Sequence, residues 1–128
     1  MRFLLDTHVF LWWIMDAPMI SDRVRRIMTE GTSDLFWSSA SSWEVSIKYA
    51  IGKLPLPDKP EVFIPMALVN NRITSLSITD EHSFQAGKLP IHHRDPFDRM
   101  LIAQSNFEKM PLISNDQTVS QYDAAIIW

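Results

Sequence analysis

The sequence predicts an α/β sandwich: a central parallel sheet covered by helices on both faces. Two observations carry that expectation. Short apolar segments with strand character alternate along the chain with longer segments of helical periodicity, the pattern of a parallel sheet with crossover helices. Acidic residues also recur just past the strand segments, and in open parallel sheets the region beyond the carboxyl ends of the strands is where ligands bind.

The elements follow in order. Leu4-Leu5 reads as a short buried strand ending at Asp6. Val9 to Met15 reads as a helix apolar nearly all round, closed by Asp16-Ala17-Pro18. Ser21 is placed to cap a second helix with Val24, Ile27 and Met28 on its inner face, ended by Gly31. Leu35 to Ser38 forms a second strand, and Ser39 to Ser42 leads into a helix. Trp43, Ile47, Ala50 and Ile51 of that helix fall on one face and are assigned to the core.

Gly52 stops this helix, and Leu54 to Pro60 is a proline-rich loop. Phe63 to Asn70 is helical by pattern, with Pro65 at odds with its start. Ile73 to Ile78 reads as strand, and Thr79 caps a short helix ending at Gly87. Pro96 to Lys109 is the next helix, with proline suited to its first turn. Pro111 to Ser114 and Ala124 to Ile127 supply the last strands.

The bulk numbers fit one soluble domain, residues 1–128, with 46% hydrophobic and 21% charged residues. The absence of cysteine excludes disulfides, zinc–thiolate sites and thiol nucleophiles, and suits a reducing cytoplasm. Asp6 interrupts the apolar start before a signal-peptide core can form, and Val9 to Met15 is far too short to span a membrane. The net charge of −3 disfavours nucleic-acid binding by simple electrostatics. Bound cations would reverse that argument locally.

Four acids follow the strands: Asp6 after the first, Glu44 inside the helix after the second, Asp98 in the first turn of the helix opened by Pro96, and Asp116 after Pro111 to Ser114. Carboxylates gathered from four distant segments require cations, and an all-oxygen donor set suits magnesium or manganese. Two such ions roughly 3.5–4 Å apart can activate a water and stabilise the leaving oxygen of a phosphodiester, with no protein nucleophile needed.

Each acid also has an ordinary reading. Asp6 is placed to cap a helix, Glu44 to pair with Lys48 at i+4, Asp98 to complement a helix dipole and Asp116 to shape a turn. For Asp95, before proline at a helix start, capping is preferred. Taken together, these readings leave unexplained why acids recur at strand exits.

Leu4-Leu5-Asp6-Thr7-His8, Ser42-Trp43-Glu44-Val45-Ser46-Ile47-Lys48, His93-Arg94-Asp95-Pro96-Phe97-Asp98-Arg99 with Leu101-Ile102-Ala103-Gln104, and Ile113-Ser114-Asn115-Asp116 resemble the motifs of PIN-domain proteins. The match is nearest to the VapC-type toxins of bacterial toxin–antitoxin pairs. It runs along essentially the whole chain, including Gly52-Lys53-Leu54-Pro55, Tyr122 and Trp128. The resemblance implies a PIN-like α/β/α sandwich and a metal-dependent endoribonuclease, using Mg2+ or Mn2+, whose acids correspond to Asp6, Glu44, Asp98 and Asp116. It also implies an RNA substrate, a cognate antitoxin whose tail occupies the active-site groove, and a homodimer. Ser114 stands where threonine is more usual in the family, keeping the hydroxyl.

Thr7, Ser39 and Asn115 adjoin the acids and are placed to orient carboxylates, with local capping the alternative, preferred for Ser39. Arg94 and Arg99 flank Asp98 and either contact RNA phosphates or balance Asp95 and Asp98. His8 is uncommitted; His92 and His93 are expected to pack or hydrogen-bond rather than catalyse. Arg23, Arg25 and Arg26 read as a solvated helix face. Trp12 and Trp13 need cover from a partner or from neighbouring helices.

Rival enzymes fit less well. A phosphatase of the haloacid-dehalogenase kind needs an aspartate two residues after Asp6, where His8 stands. A receiver domain needs an acid ending a central strand and a later lysine, supplied neither by Ser38-Ser39 nor by the segment near Trp128. The remaining alternative is a PIN module used only for binding RNA or protein, against which stands the presence of all four acids.

Overall fold

The computed structural model describes residues 1–92 and 94–128. Five strands make one fully parallel sheet in the order β3-β2-β1-β4-β5. They are β1 (Arg2–Leu5), β2 (Asp34–Ser38), β3 (Ile73–Leu76), β4 (Leu112–Ile113) and β5 (Ile126–Ile127). The helices are α1 (Thr7–Ile14), α2 (Asp22–Glu30), α3 (Ser39–Ala50), α4 (Pro60–Asn70), α5 (Asp80–Lys88) and α6 (Pro96–Glu108). The sandwich read from the sequence is therefore the fold observed. Among the described residues no helix is long and apolar enough to cross a membrane.

The period-2 geometry of a strand sorts the core into two clusters. Phe3, Leu5, Leu35, Trp37 and Ile73 point to one face and pack with Val9, Phe10, Val24, Val45, Ile64 and Leu68 of α1 to α4. Leu4 and Leu112 point to the other, against Leu101 and Ile102 of α6, with Met110, Val119 and Tyr122. Trp37 anchors the first cluster, its ring centroid 4.7 Å from that of Phe10, while its indole N–H donates to Ser42 Oγ at 2.7 Å. On the far face α5 is tied to α6 by buried His82, which meets Glu108 at 3.2 Å.

Several local expectations are met in detail. Ser21 Oγ accepts from Val24 N at 3.2 Å, and Gly31 ends α2 at φ 73°, the left-handed conformation that favours glycine. Thr79 caps α5 reciprocally with His82, whose ring nitrogen takes the part usually played by glutamate or glutamine.

Two expectations need correction. Pro60 is not the end of a loop but the first residue of α4, and Pro65 is accommodated inside that helix. A proline interior to a helix costs about 3 kcal/mol, and burial of Ile64, Ala67 and Leu68 on the core offsets it.

The face of α3 is also reversed. Trp43 is 62% exposed, and Ile47, Ala50 and Ile51 face outward with it, whereas Ala40, Ser41, Glu44 and Val45 are buried. The helix turns its polar side inward because that side carries Glu44 into the site described next.

Trp12 and Trp13 are half-buried and receive cover from the chain itself. Trp12 meets Trp128 edge-on at 6.1 Å, while Trp13 donates to Asn71 Oδ1 at 3.1 Å with the Arg25 guanidinium 6.0 Å from its ring.

Candidate active site

In the order 3-2-1-4-5 the connections leave β1 toward opposite sides of the sheet. The carboxyl ends of β1 and β4 therefore border the switch-point crevice. Leu5 pairs with Ile113, so the next residues, Asp6 and Ser114, stand opposite each other at its mouth. Ser114 Oγ donates to Asp6 Oδ2 at 2.7 Å, in a pair where both residues are buried. The hydroxyl kept at Ser114 is thus the group that holds Asp6. Asp6 occupies the cap position of α1, where the His8 amide favours its charged form without closing a full capping bond. Capping alone does not account for its burial or its bond to Ser114.

Asp116 lies two residues beyond Ser114. Its amide donates to Ser114 Oγ at 3.1 Å, and its Oδ1 accepts from Thr118 N at 2.8 Å. The turn role foreseen for Asp116 is real, and the same turn holds its carboxylate beside the crevice. Glu44 enters from α3 and is only 2% exposed. Lys48, one turn on, meets Glu44 Oε2 at 2.6 Å. The i+4 pair is present, but on a buried acid rather than an exposed helix.

Asp98 comes from the first turn of α6, where Asp95 Oδ1 accepts from the amides of Phe97 and Asp98 at 2.8 and 3.3 Å. Asp95 is the cap the sequence suggested. Trp43 of α3 and Phe97 of α6 meet edge-on at 5.3 Å, joining the helices that deliver Glu44 and Asp98.

The electrostatics show that these groups share one field. Burial pushes the Asp98 carboxyl up to about 8, with Asp6, Asp95, Glu44 and Asp116 adding repulsion in that order. Asp6 is raised chiefly by burial and also by Glu44, against the Ser114 hydrogen bond and the charge of His8. Burial alone pulls the Lys48 ammonium down, but Glu44, with Asp95 and Asp98 behind it, carries it above its ordinary value. Like charges at this density favour protonation or a cation.

The supporting residues divide. Thr7 Oγ1 donates to Ser41 Oγ at 2.7 Å in the buried joint between α1 and α3, beneath Asp6 and Glu44 rather than on either carboxylate. Capping of α3 falls to Ser38, whose Oγ accepts from Ala40 N at 3.0 Å, with Ser39 half-buried next to it. Asn115 is exposed on the turn before Asp116. The exposed His92 packs its ring on Tyr122 at 5.0 Å and its amide donates to the Tyr122 hydroxyl. His93 lies outside the described residues.

Arg99 makes contacts that neither of its two readings named. Its Nη1 donates to Pro90 O at 2.9 Å and to Tyr122 Oη at 3.3 Å, and its Nη2 to the carbonyls of Ala86 and Leu89 at 3.0 and 3.1 Å. The guanidinium ties α6 to the last turn of α5 and to Leu89-Pro90 beyond it. Replacing it with methionine strands these carbonyls, so Arg99→Met should cost about 1–2 kcal/mol, several degrees in Tm by calorimetry. Arg94 remains exposed.

Whether a divalent cation suits this crevice can be tested on its buried oxygens. Asp6 Oδ1 and Glu44 Oε1 are buried and have no hydrogen-bond partner among the described residues. A buried carboxylate oxygen left unsatisfied is costly, and a hard cation is the partner such atoms accept. The donors are all oxygen, in keeping with magnesium or manganese. Among the described residues no three Asp, Glu or His side chains are grouped to hold one ion as they stand. The fit therefore rests on the two orphaned oxygens and on the shared field of the acids.

Comparisons with known proteins bear on the fold and the family. The chain is 29% identical over 62 residues to Ribonuclease VapC16 of Mycobacterium tuberculosis, a stretch covering 48% of this chain and 44% of that protein. The matched region thus spans less than half of that relative. The fold is that of a chain in the crystal structure of VapBC2 from Rickettsia felis bound to a promoter DNA fragment (TM-score 0.72, 15% identity, 99% of this chain and 98% of that one). It is likewise similar to VapBC-1 from nontypeable Haemophilus influenzae (TM-score 0.60, 20% identity, 94% and 91%) and to FitAcB from Neisseria gonorrhoeae (TM-score 0.63, 16% identity, 98% and 96%). The family description "PIN domain" matches residues 3–125, nearly the whole chain, which therefore belongs to the PIN-domain family.

Proposed function

We propose that this chain is a divalent-metal-dependent endoribonuclease and the toxin of a toxin–antitoxin pair, inhibited by its cognate antitoxin. One observation supports the chemistry above the others. Asp6, Glu44, Asp98 and Asp116 act on one another electrostatically at the β1/β4 crevice, and two of their buried oxygens lack partners. A binding-only module has no need to bury unsatisfied carboxylates, which makes catalysis the preferred reading.

In this reading Asp6, Glu44, Asp98 and Asp116 hold Mg2+, or Mn2+ in its place. When bound, the metal supplies Lewis acidity to the phosphodiester and a nucleophilic water at neutral pH. The protein's own share is positional. Ser114 holds Asp6 by its Oδ2, leaving Oδ1 for the centre. The Asp95 cap and the Arg99 contacts fix the start of α6, and with it Asp98. Arg94 is placed to meet a substrate phosphate, which has the opposite charge.

Two apolar surfaces support the expected partners. The outward face of α3, with Trp43, Ile47 and Ile51, is the one we assign to a homodimer. A groove of about 520 Å³ lined by Leu11, Ile14, Leu56, Phe63 and Met66 lies between α1 and α4, and we assign it to the body of the antitoxin, with the antitoxin's tail in the acidic crevice.

The direct test is cleavage of a mixed cellular RNA substrate by purified protein with Mg2+, with Mn2+, and with excess EDTA. Cleavage that requires metal and disappears on adding the co-expressed neighbouring antitoxin is the expected result. Retention of RNA without cleavage under every metal condition favours the binding module instead.

A further inference from the structure

Lys48 makes a direct contact with a buried acid of the crevice, Glu44 Oε2 at 2.6 Å. That contact is made on a carboxylate almost wholly inside the protein, while the lysine side chain is 38% exposed. The pairing is lopsided. Glu44 cannot reach water, whereas the ammonium, on a four-carbon stem, can withdraw to solvent while the stem stays packed. Glu44 Oε1 meanwhile keeps no partner among the described residues. The lysine satisfies only half of the acid.

Its charge also extends past Glu44. Asp95 and Asp98 both act on Lys48, so it sits at the edge of the whole acidic field. A simple i+4 pair on a solvated helix is worth a few tenths of a kcal/mol. Here one partner is buried, and removing the cation leaves an uncompensated buried charge.

We propose that Lys48 is the resident counter-ion of Glu44 in the metal-free centre, neutralising that acid until a divalent cation takes its place and thereby setting metal affinity. The inference rests on the reading of the acids as a metal centre. It makes Lys48 a positioning residue and a competitor of the metal for Glu44, with no part in bond-breaking.

The test uses Mn2+ alone, without RNA, titrated by calorimetry into wild type, Lys48→Met, Lys48→Gln and Lys48→Arg, with thermal melts of each metal-free protein. Lys48→Met and Lys48→Gln should bind Mn2+ about 5–10-fold more tightly, the scale expected for removing a unit charge beside a divalent ion under partial screening. Both should melt lower than wild type without metal, and Lys48→Arg should restore wild-type affinity. Unchanged or weaker Mn2+ binding in both neutral variants, beside normal binding in wild type, overturns the counter-ion role and leaves the metal centre standing. Failure of wild type to bind millimolar Mn2+ overturns the metal centre and this proposal together.

Discussion

RNA cleavage is expected to fall by at least about 10²–10³-fold in each of Asp6→Asn, Glu44→Gln and Asp98→Asn, while all three proteins stay folded. The substitutions keep size and one carbonyl acceptor and remove the charge a cation needs. Ser114 can still donate to the amide oxygen of an asparagine at position 6, so the β1/β4 joint survives. Asp6 and Asp98 are repelled by their neighbours without metal, so losing either charge should leave metal-free stability unchanged or slightly raised, whereas Glu44→Gln also weakens the Lys48 pair and gains less. Asp116→Asn should be milder, because the amide oxygen still accepts from Thr118 N and the turn persists. Asp95→Asn should be mildest, since asparagine caps a helix as well as aspartate does. Gel-based cleavage assays beside circular-dichroism melts check the series. Full activity in Asp6→Asn sinks the mechanism, and an Asp95→Asn as inactive as Asp98→Asn moves the third acid to Asp95.

The helix α3 shows why sequence reading reached the architecture and the four acids but misjudged their surroundings. Strand and helix order follow from period and punctuation: Ser21 and Thr79 cap, and Gly31 ends a helix, as their chemistry dictates. Those signals are local. The direction in which α3 faces is not local, because hydrophobic periodicity assumes that apolar residues point inward. A buried acidic site inverts that assumption on its own helix: Glu44 and Ser41 go in, and Trp43 and Ile51 come out.

Arg99 stands between two readings in the sequence, an RNA phosphate or the nearby acids, and neither names the contacts it makes. Its acceptors are backbone carbonyls at Ala86, Leu89 and Pro90, and no side-chain pattern marks those in a sequence. Ser114 was legible because the family motif places a hydroxyl there. Lys48 was legible as a pair, but its weight depends on the burial of Glu44, which is tertiary information.

The stability of the metal-free protein should fall as pH rises from about 4 to 8, and Mn2+ should reverse that fall. Asp98 carries the sign. Its pKa is pushed up to about 8 in the folded chain, against about 3.9 when unfolded. Below pH 4 both states hold the proton and the crowded site costs nothing. Between pH 4 and 8 the unfolded chain releases the proton that the folded chain keeps, so stability drops with each unit. Above pH 8 the loss is complete and the curve flattens.

Asp6, also raised, adds a slope of the same sign. Mn2+ demands the deprotonated acids, so its affinity climbs through the same window. At 100 times its Kd the ion adds about 2.7 kcal/mol, roughly 10 °C in Tm for a chain of this size. The expected pattern is a small rise in Tm on adding millimolar Mn2+ at pH 5.5 and a large one at pH 8. Asp98→Asn should flatten the metal-free pH slope and shrink the metal-induced rise together. A slope that persists unchanged in Asp98→Asn assigns the pH dependence to other groups, and equal Mn2+ shifts at both pH values contradict a cation held by these carboxylates.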